Sequence, residues 1–192
     1  MDNQIKDKWN KHYHSCPDEH SAATEVLLQN QHLLPKQGTA LEMACGRGAN
    51  AICLAENGLI VSAWDISESA IEQLSLHAKE KKITINSEVR NVSEQPPSAD
   101  RFDVIVVSHF LERALMDDIR KAIKSGGLIF YQTFIKEKID ESGPKNPDYL
   151  LGSNELLTIF NDWKIICYLE EGKIGNINDG FRNQAMIIAQ KP

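Results

Sequence analysis

The stretch L-E-M-A-C-G-R-G-A-N-A, residues 41–51, decides how this chain reads. It opens as a strand, near Thr39 to Met43, and closes as a helix carrying Ala51, Ile52 and Ala55. Asn57-Gly58 stops that helix, because glycine accepts the left-handed conformation at a helix end. Between strand and helix, Gly46, Gly48 and Ala51 satisfy G-x-G-x-x-A, the turn that lets backbone approach an adenosine-bearing ligand. Asp65 lies 19 residues after Gly46, at the end of the following strand, where a ribose-binding acid belongs.

The hydrophobic period on either side alternates between strand-like and helix-like. Ahead of the turn, Ile5, Trp9 and Tyr13 space a helix over residues 3–14, and Ala23, Val26, Leu27 and Leu34 a second over 20–33. After it come a strand from Leu59 to Trp64 and a helix burying Ala70, Ile71, Leu74 and Ala78, capped by Ser67 or by a Ser69/Glu72 capping box. A strand at 83–89, a Pro96-Pro97 loop and a continuous apolar strand from Phe102 to Val107 follow. Leu111, Leu115, Ile119, Ala122 and Ile123 form a helical stripe ended by Ser125-Gly126-Gly127, and Leu128 to Phe134 is the fifth strand. A long polar loop, a short helix at 154–160 and two strands, 163–169 and 184–190, close the chain as an antiparallel pair. This order predicts one α/β domain over residues 1–192. It is a doubly wound, Rossmann-like sheet of seven strands, with helices on both faces and a terminal antiparallel hairpin. Residues 1–35 read as a helical lid and 36–192 as the ligand-binding core.

Composition bounds the partners. The 192 residues carry 21 Lys plus Arg against 27 Asp plus Glu, a net charge of −6. That balance disfavours nucleic acid and anionic membrane, both of which need a surplus of cations. The charged start is no signal peptide and no apolar run is long enough to span a bilayer, so a cytoplasmic protein is expected. Cys16, Cys45, Cys53 and Cys167 are scattered with no C-x-x-C, as expected of free thiols. His12, His14 and Cys16 alternate, but no further ligand of matching spacing follows, so no metal is expected.

Charge also separates the adenosine ligands. Glu42 stands beside the turn, where it would repel a pyrophosphate but suit a sulfonium and an ammonium. Neither Y-x-x-x-K nor G-x-x-x-x-G-K-[ST] occurs. E-x-A-C-G-x-G, W-D-I-S with its acid 23 residues after Glu42, F-D-V-I-V-V-S and S-G-G-L-I-F together resemble the class I S-adenosylmethionine-dependent methyltransferases. The likeness covers roughly residues 36–192. The early W-N-x-x-Y and the segment 143–157 are similar to the small tellurite-resistance and thiopurine-type members.

The resemblance implies S-adenosyl-L-methionine as cofactor and in-line methyl transfer to a small acceptor: a thiol, a metalloid oxyanion or a metabolite. It places the methionine part against Glu42, Ala44, Cys45, Gly46, Arg47 and Gly48, the ribose on Asp65, and the adenine near Ile66, Asn91 and Val92. Ser108 ends the fourth strand where cofactor and acceptor meet, and Trp9 and Tyr13, with His20, cover the cofactor as a lid. Ala44 stands where the family carries its first glycine, which predicts an ordinary backbone there, and Asn91 where it usually carries Asp. His109 is the candidate general base, with Arg113 one helical turn on as an anion contact and Tyr131, alongside Thr133, on a strand face that lines the acceptor or the core. A monomer or homodimer is expected. Two other readings stay open: a non-catalytic S-adenosylmethionine-binding sensor or partner subunit, and a small NAD-dependent reductase.

Overall fold

The computed structural model describes residues 2–15 and 22–192. Cys16 and His20 therefore lie outside the described residues, and with them part of the alternating His-Cys run and of the lid. The chain order is α1 (Asp2–Ser15), α2 (Glu25–Leu28), β1 (Thr39–Met43), α3 (Ala49–Glu56), β2 (Ile60–Asp65), α4 (Glu68–Glu80), β3 (Ile85–Val89), β4 (Phe102–Ser108), α5 (Met116–Ala122), β5 (Ile123–Phe134), α6 (Glu155–Ile159), β6 (Lys164–Glu170) and β7 (Gln184–Gln190). The seven strands form one sheet in the order β3-β2-β1-β4-β5-β7-β6. β1 to β5 pair in parallel, and β7 runs antiparallel to both β5 and β6, the expected closing hairpin.

Strand β4 shows why the sheet is covered on both faces. Ile105 and Val107 enter one core with Leu41, Met43, Ile129 and Ile119, while Val104 and Val106 enter the other with Ala40, Leu54, Leu74 and Phe130. Successive side chains point to opposite faces, so a strand buried on both sides has to be apolar throughout. The chain winds outward from β1 through β2 to β3, returns to β4 and then winds the other way. The switch point lies between the carboxyl ends of β1 and β4, where this fold class binds ligands.

Two local expectations are revised and a third is narrowed to one of its alternatives. The helix foreseen at 20–33 is only the turn α2 plus a 3-10 turn at Gln31–Leu33. Thr24 is extended and precedes α2, and Pro35 restricts the residue before it. The stripe at 111–123 is a 3-10 turn at Arg113–Leu115 followed by α5, and Ile123 already pairs with Phe102 as part of β5. The ladder is irregular between Phe102 and Val104, because the backbone around Gly127 passes so close that a Cβ there would meet Asp103 O at 2.9 Å. Helix α4 is capped by Ser67, whose Oγ accepts from Ala70 N at 3.2 Å, and not by Ser69. As expected from the Pro96-Pro97 loop, β3 reaches β4 without a helix. The uncovered sheet edge there forms a groove of about 560 Å³, in which Arg90 stacks 3.9 Å over the Trp64 ring.

The glycine turn is packed as tightly as the sheet it leaves. Gly48 has φ +73°, and a Cβ on it would stand 2.3 Å from Leu74 Cδ1 of α4. Gly48→Ala therefore combines a clash with a left-handed alanine and should cost about 1–3 kcal/mol. Thermal denaturation should show a midpoint lower by roughly 2–10 °C. An unchanged midpoint would show that α4 does not hold the turn in place.

Candidate functional site

The turn after β1 is built from left-handed residues. Ala44, Gly46 and Gly48 have φ of +51°, +53° and +73°. The expectation of an ordinary backbone at Ala44 is thus overturned: it keeps the glycine conformation while carrying a Cβ, at a strain of about 1–2 kcal/mol. Cys45 N donates to Trp64 O at 3.0 Å and Gly48 N to Cys45 O at 2.8 Å, which hold the turn against β2.

Two buried carboxylates flank it. Asp65, at the end of β2, accepts Gly46 N on Oδ2 and Ser67 N on Oδ1, both at 2.8 Å. It thus serves the turn and the start of α4 together. A carboxylate has about four lone-pair sites, so it retains capacity for further donors. Burial raises its pKa and these backbone bonds oppose the rise. Glu42, at the end of β1, is 1% exposed and accepts Asn50 Nδ2 at 2.8 Å and Ala51 N at 2.7 Å. Burial pushes its carboxyl up to about 8, the two hydrogen bonds oppose this, and the charge of Asp65 adds to it. Among the described residues neither carboxylate is ion-paired with a cationic side chain.

Helix α1 reaches this turn. Tyr13 Oη lies 2.6 Å from where a Cβ on Gly46 would stand, so only glycine admits it. Gln73 Nε2 donates to Tyr13 O at 2.9 Å, and the Arg47 guanidinium lies 5.6 Å from the Tyr13 ring centre. Asn10 Oδ1 accepts Ser67 Oγ at 2.8 Å. Trp9 does not reach the turn: it is exposed and stacks behind Tyr13 at 6.0 Å. The exposure of Ile5 and Trp9 rules out ordinary core packing for this helix's apolar stripe among the described residues.

Across the switch point, polar side chains bind the strand ends together. Asn50 Nδ2 also reaches Ser108 Oγ at 3.0 Å, and Asn50 Oδ1 accepts Thr24 N and Thr24 Oγ1 at 2.8 and 2.9 Å. His109 follows β4 with φ +52°, its N–H given to Gln132 O at 2.9 Å. Its ring lies 5.2 Å from that of Phe134, and its Nε2 is 3.1 Å from Gln184 Oε1. One side of the imidazole stays exposed while burial of the other lowers its pKa, against the Gln184 hydrogen bond. His109 is therefore neutral at pH 7.

Other candidates have other work. Arg113 is not one helical turn from His109, because 109–112 is not helical. It clamps Glu155 at 2.7 and 3.0 Å and donates to Asp148 O and Leu150 O, which fixes the loop after β5 and leaves little for an anionic acceptor. Tyr131 is fully buried and gives its hydroxyl to Phe110 O at 2.8 Å, so it belongs to the core; Thr133 is buried as well. Val92 joins the core beside Met43 and Trp64, Ile66 is half-buried after Asp65, and Asn91 Oδ1 accepts Ser93 N in a turn of its own. Asn50, Thr24, Gln132 and Gln184 were missed. The signal for Gln132 was a polar residue inside an apolar central strand, which a buried site must satisfy.

Comparison with known proteins agrees with this architecture. Residues 40–127 match the family model described as a methyltransferase domain. A ubiquinone biosynthesis O-methyltransferase of Coxiella burnetii is 31% identical over 114 residues, 57% of this chain and 46% of the relative. The chain thus spans about half the length of the curated relatives it matches. Among solved structures, TehB from Haemophilus influenzae superposes with a TM-score of 0.69 at 20% identity, over 97% of this chain and 67% of that one. An S-adenosylmethionine-dependent methyltransferase from Aquifex aeolicus superposes with a TM-score of 0.66 at 17% identity, over 97% and 98%. The match over residues 40–127 and the seven-stranded fold built around them thus coincide: the chain shares its fold with S-adenosylmethionine-dependent methyltransferases of known structure.

Proposed function

We propose that this protein methylates a hydroxyl group of a small molecule, with S-adenosyl-L-methionine as donor. The observation that carries this reading is the pair of buried carboxylates, Glu42 and Asp65, around a glycine turn, neither of them ion-paired with a cationic side chain among the described residues. Asp65, and Glu42 once a cation draws off its proton, favour a positively charged ligand over a pyrophosphate, which separates the sulfonium compound from NAD. The donor set also fits: Asp65 keeps lone pairs for ribose hydroxyls, and Glu42 faces the place for an ammonium or sulfonium.

When bound, S-adenosylmethionine supplies a methyl group on a positively charged sulfur that leaves as a neutral thioether. The chain's own residues then have three tasks. Asp65 and the turn hold the nucleoside end. Helix α1, with Tyr13 over Gly46, closes water out and forms the lid of a single domain. His109, neutral and at the end of β4, takes the proton that an acceptor oxygen loses as its bond to carbon forms. The oxygen acceptor is favoured by this base and by the relatives named as O-methyltransferases. A thiol acceptor ionises more easily and needs the base less.

Titration calorimetry should show binding of S-adenosylmethionine and none of NAD. Asp65→Ala should weaken that binding about 10- to 100-fold, the loss of hydrogen bonds to a charged group. An unchanged affinity, or tight NAD binding, would overturn the reading.

Glu42 gives the binding a pH signature. Without ligand it is protonated at pH 7, since its folded pKa is about 8. A cationic ligand favours the carboxylate, so binding must release a proton. Affinity should rise with pH up to about 8 and then level. Calorimetry in buffers of different ionisation enthalpy should register the release at pH 7, and Glu42→Gln should abolish it. Proton uptake in the unmodified protein would contradict the assignment.

A further inference from the structure

A line of amides joins helix α2 to the base. Val26 N–H points at Gln132 Oε1, 2.8 Å away. Gln132 Nε2 is 2.9 Å from Gln184 Oε1, and that oxygen is 3.1 Å from His109 Nε2. A backbone N–H can only donate, so the Gln132 atom facing it must be the oxygen. Gln132 then presents its NH₂ to Gln184, whose facing atom must in turn be an oxygen. That oxygen can only accept, so the His109 nitrogen beside it must carry a proton.

We propose that Val26, Gln132 and Gln184 are a positioning relay that fixes neutral His109 as the Nε2–H tautomer and leaves the Nδ1 lone pair as the base. The assignment rests on the methyl-transfer reading for the identity of the proton taken, but the tautomer itself does not. Amide and imidazole orientations follow from such networks, and here the network has an unambiguous origin in a main-chain donor. The relay is firmly seated. Gln132 is 3% exposed, Val26 is fully buried, and the His109 main chain is tied to Gln132 O. The ladder sets Gln184 of β7 opposite Phe134 of β5, and Phe134 also packs on the imidazole. Charged side chains on the neighbouring segments are engaged elsewhere: Arg113 on Glu155, and Arg182 on Gly172 O, Asn176 O and Asp179 O of its own loop. Neutral amides thus do the positioning that a carboxylate does for other catalytic histidines, and they draw the imidazole towards its charged form less than a carboxylate would, so that burial still holds its pKa down.

Nitrogen-15 NMR of the histidine side chains in the ligand-free protein, above the titration of His109, reads the tautomer directly. The expected result is a protonated Nε2 and a bare Nδ1. Gln184→Lys presents a donor in place of the oxygen and should reverse the tautomer. It should lower kcat for methyl transfer by 100-fold or more with a much smaller change in KM. Gln184→Glu keeps an acceptor, so it should keep the Nε2–H tautomer and kcat while moving the base's apparent pKa in the pH–rate profile upward. A protonated Nδ1 in the unmodified protein, or a Gln184→Lys variant that retains Nε2–H, would overturn the relay. The NMR reading needs no turnover. Failure to bind S-adenosylmethionine would therefore sink the proposed function and leave the tautomer assignment standing, and a wrong tautomer would do the reverse.

Discussion

One carboxylate holds the switch point in register. Asp65 accepts the N–H of Gly46 with one oxygen and that of Ser67 with the other. The first bond fixes the turn after β1, and the second fixes the start of α4. Leu74 of α4 then packs where Gly48 has no side chain. Strand β2, the glycine turn and the helix behind it are thus oriented by a single buried acid. On the proposed reading, ligand binding and the geometry of the fold share the same group, so the turn is pre-formed and little ordering is left for a ligand to supply.

The charge preference proposed for the site comes from the burial of a second acid beside the first. Glu42 is held by an amide and a backbone N–H, and its ionisation is opposed by burial and by Asp65. Its folded pKa of about 8 stands above the ordinary 4.5. Ionising it in the ligand-free fold therefore costs on the order of 5 kcal/mol. The sign follows directly: the fold is least burdened below pH 4.5, where Glu42 is protonated in both folded and unfolded chains. Its stability declines as pH rises towards 8. A cation in the crevice reverses that cost. Asn50 and Ala51 N offset only part of that cost, and among the described residues no cationic side chain is ion-paired with Glu42 to offset the rest.

The sheet was largely legible because its signals are local. Alternation of period, the glycine turn and the apolar run of β4 placed six of the strands within a residue or two. The start of β5 was not, since Ile123 continues a helical stripe in sequence but pairs with Phe102 in space. Nothing local distinguishes the two. Glu42, Gly46 and Asp65 meet at the turn as their spacing suggests, because strand–turn–helix geometry fixes where such residues go. Arg113 and Tyr131 were misjudged for the opposite reason. Their types suggest chemistry, but Glu155, 42 residues on, and Phe110 O decide their partners. Ala44 shows the limit of residue type even for backbone, since alanine took a conformation that glycine predicts.

The N-terminal segment serves both halves of the site, which explains a pattern its own sequence hides. Helix α1 places Tyr13 against Gly46, on the side proposed for the cofactor. Residues 24–26 sit on the side proposed for the acceptor, where Thr24 is bound by Asn50 and Val26 by Gln132. Asn50 also bonds Glu42 and Ser108, so the ends of β1 and β4 and the start of α2 meet on one amide. A displacement of α2 would loosen the Glu42 cradle and the His109 relay together. That shared dependence makes the front of the chain part of the site's construction. A cover over an otherwise complete crevice would need only Tyr13; the buried amides at Asn50 and Gln132 are satisfied only when residues 24–26 are in place.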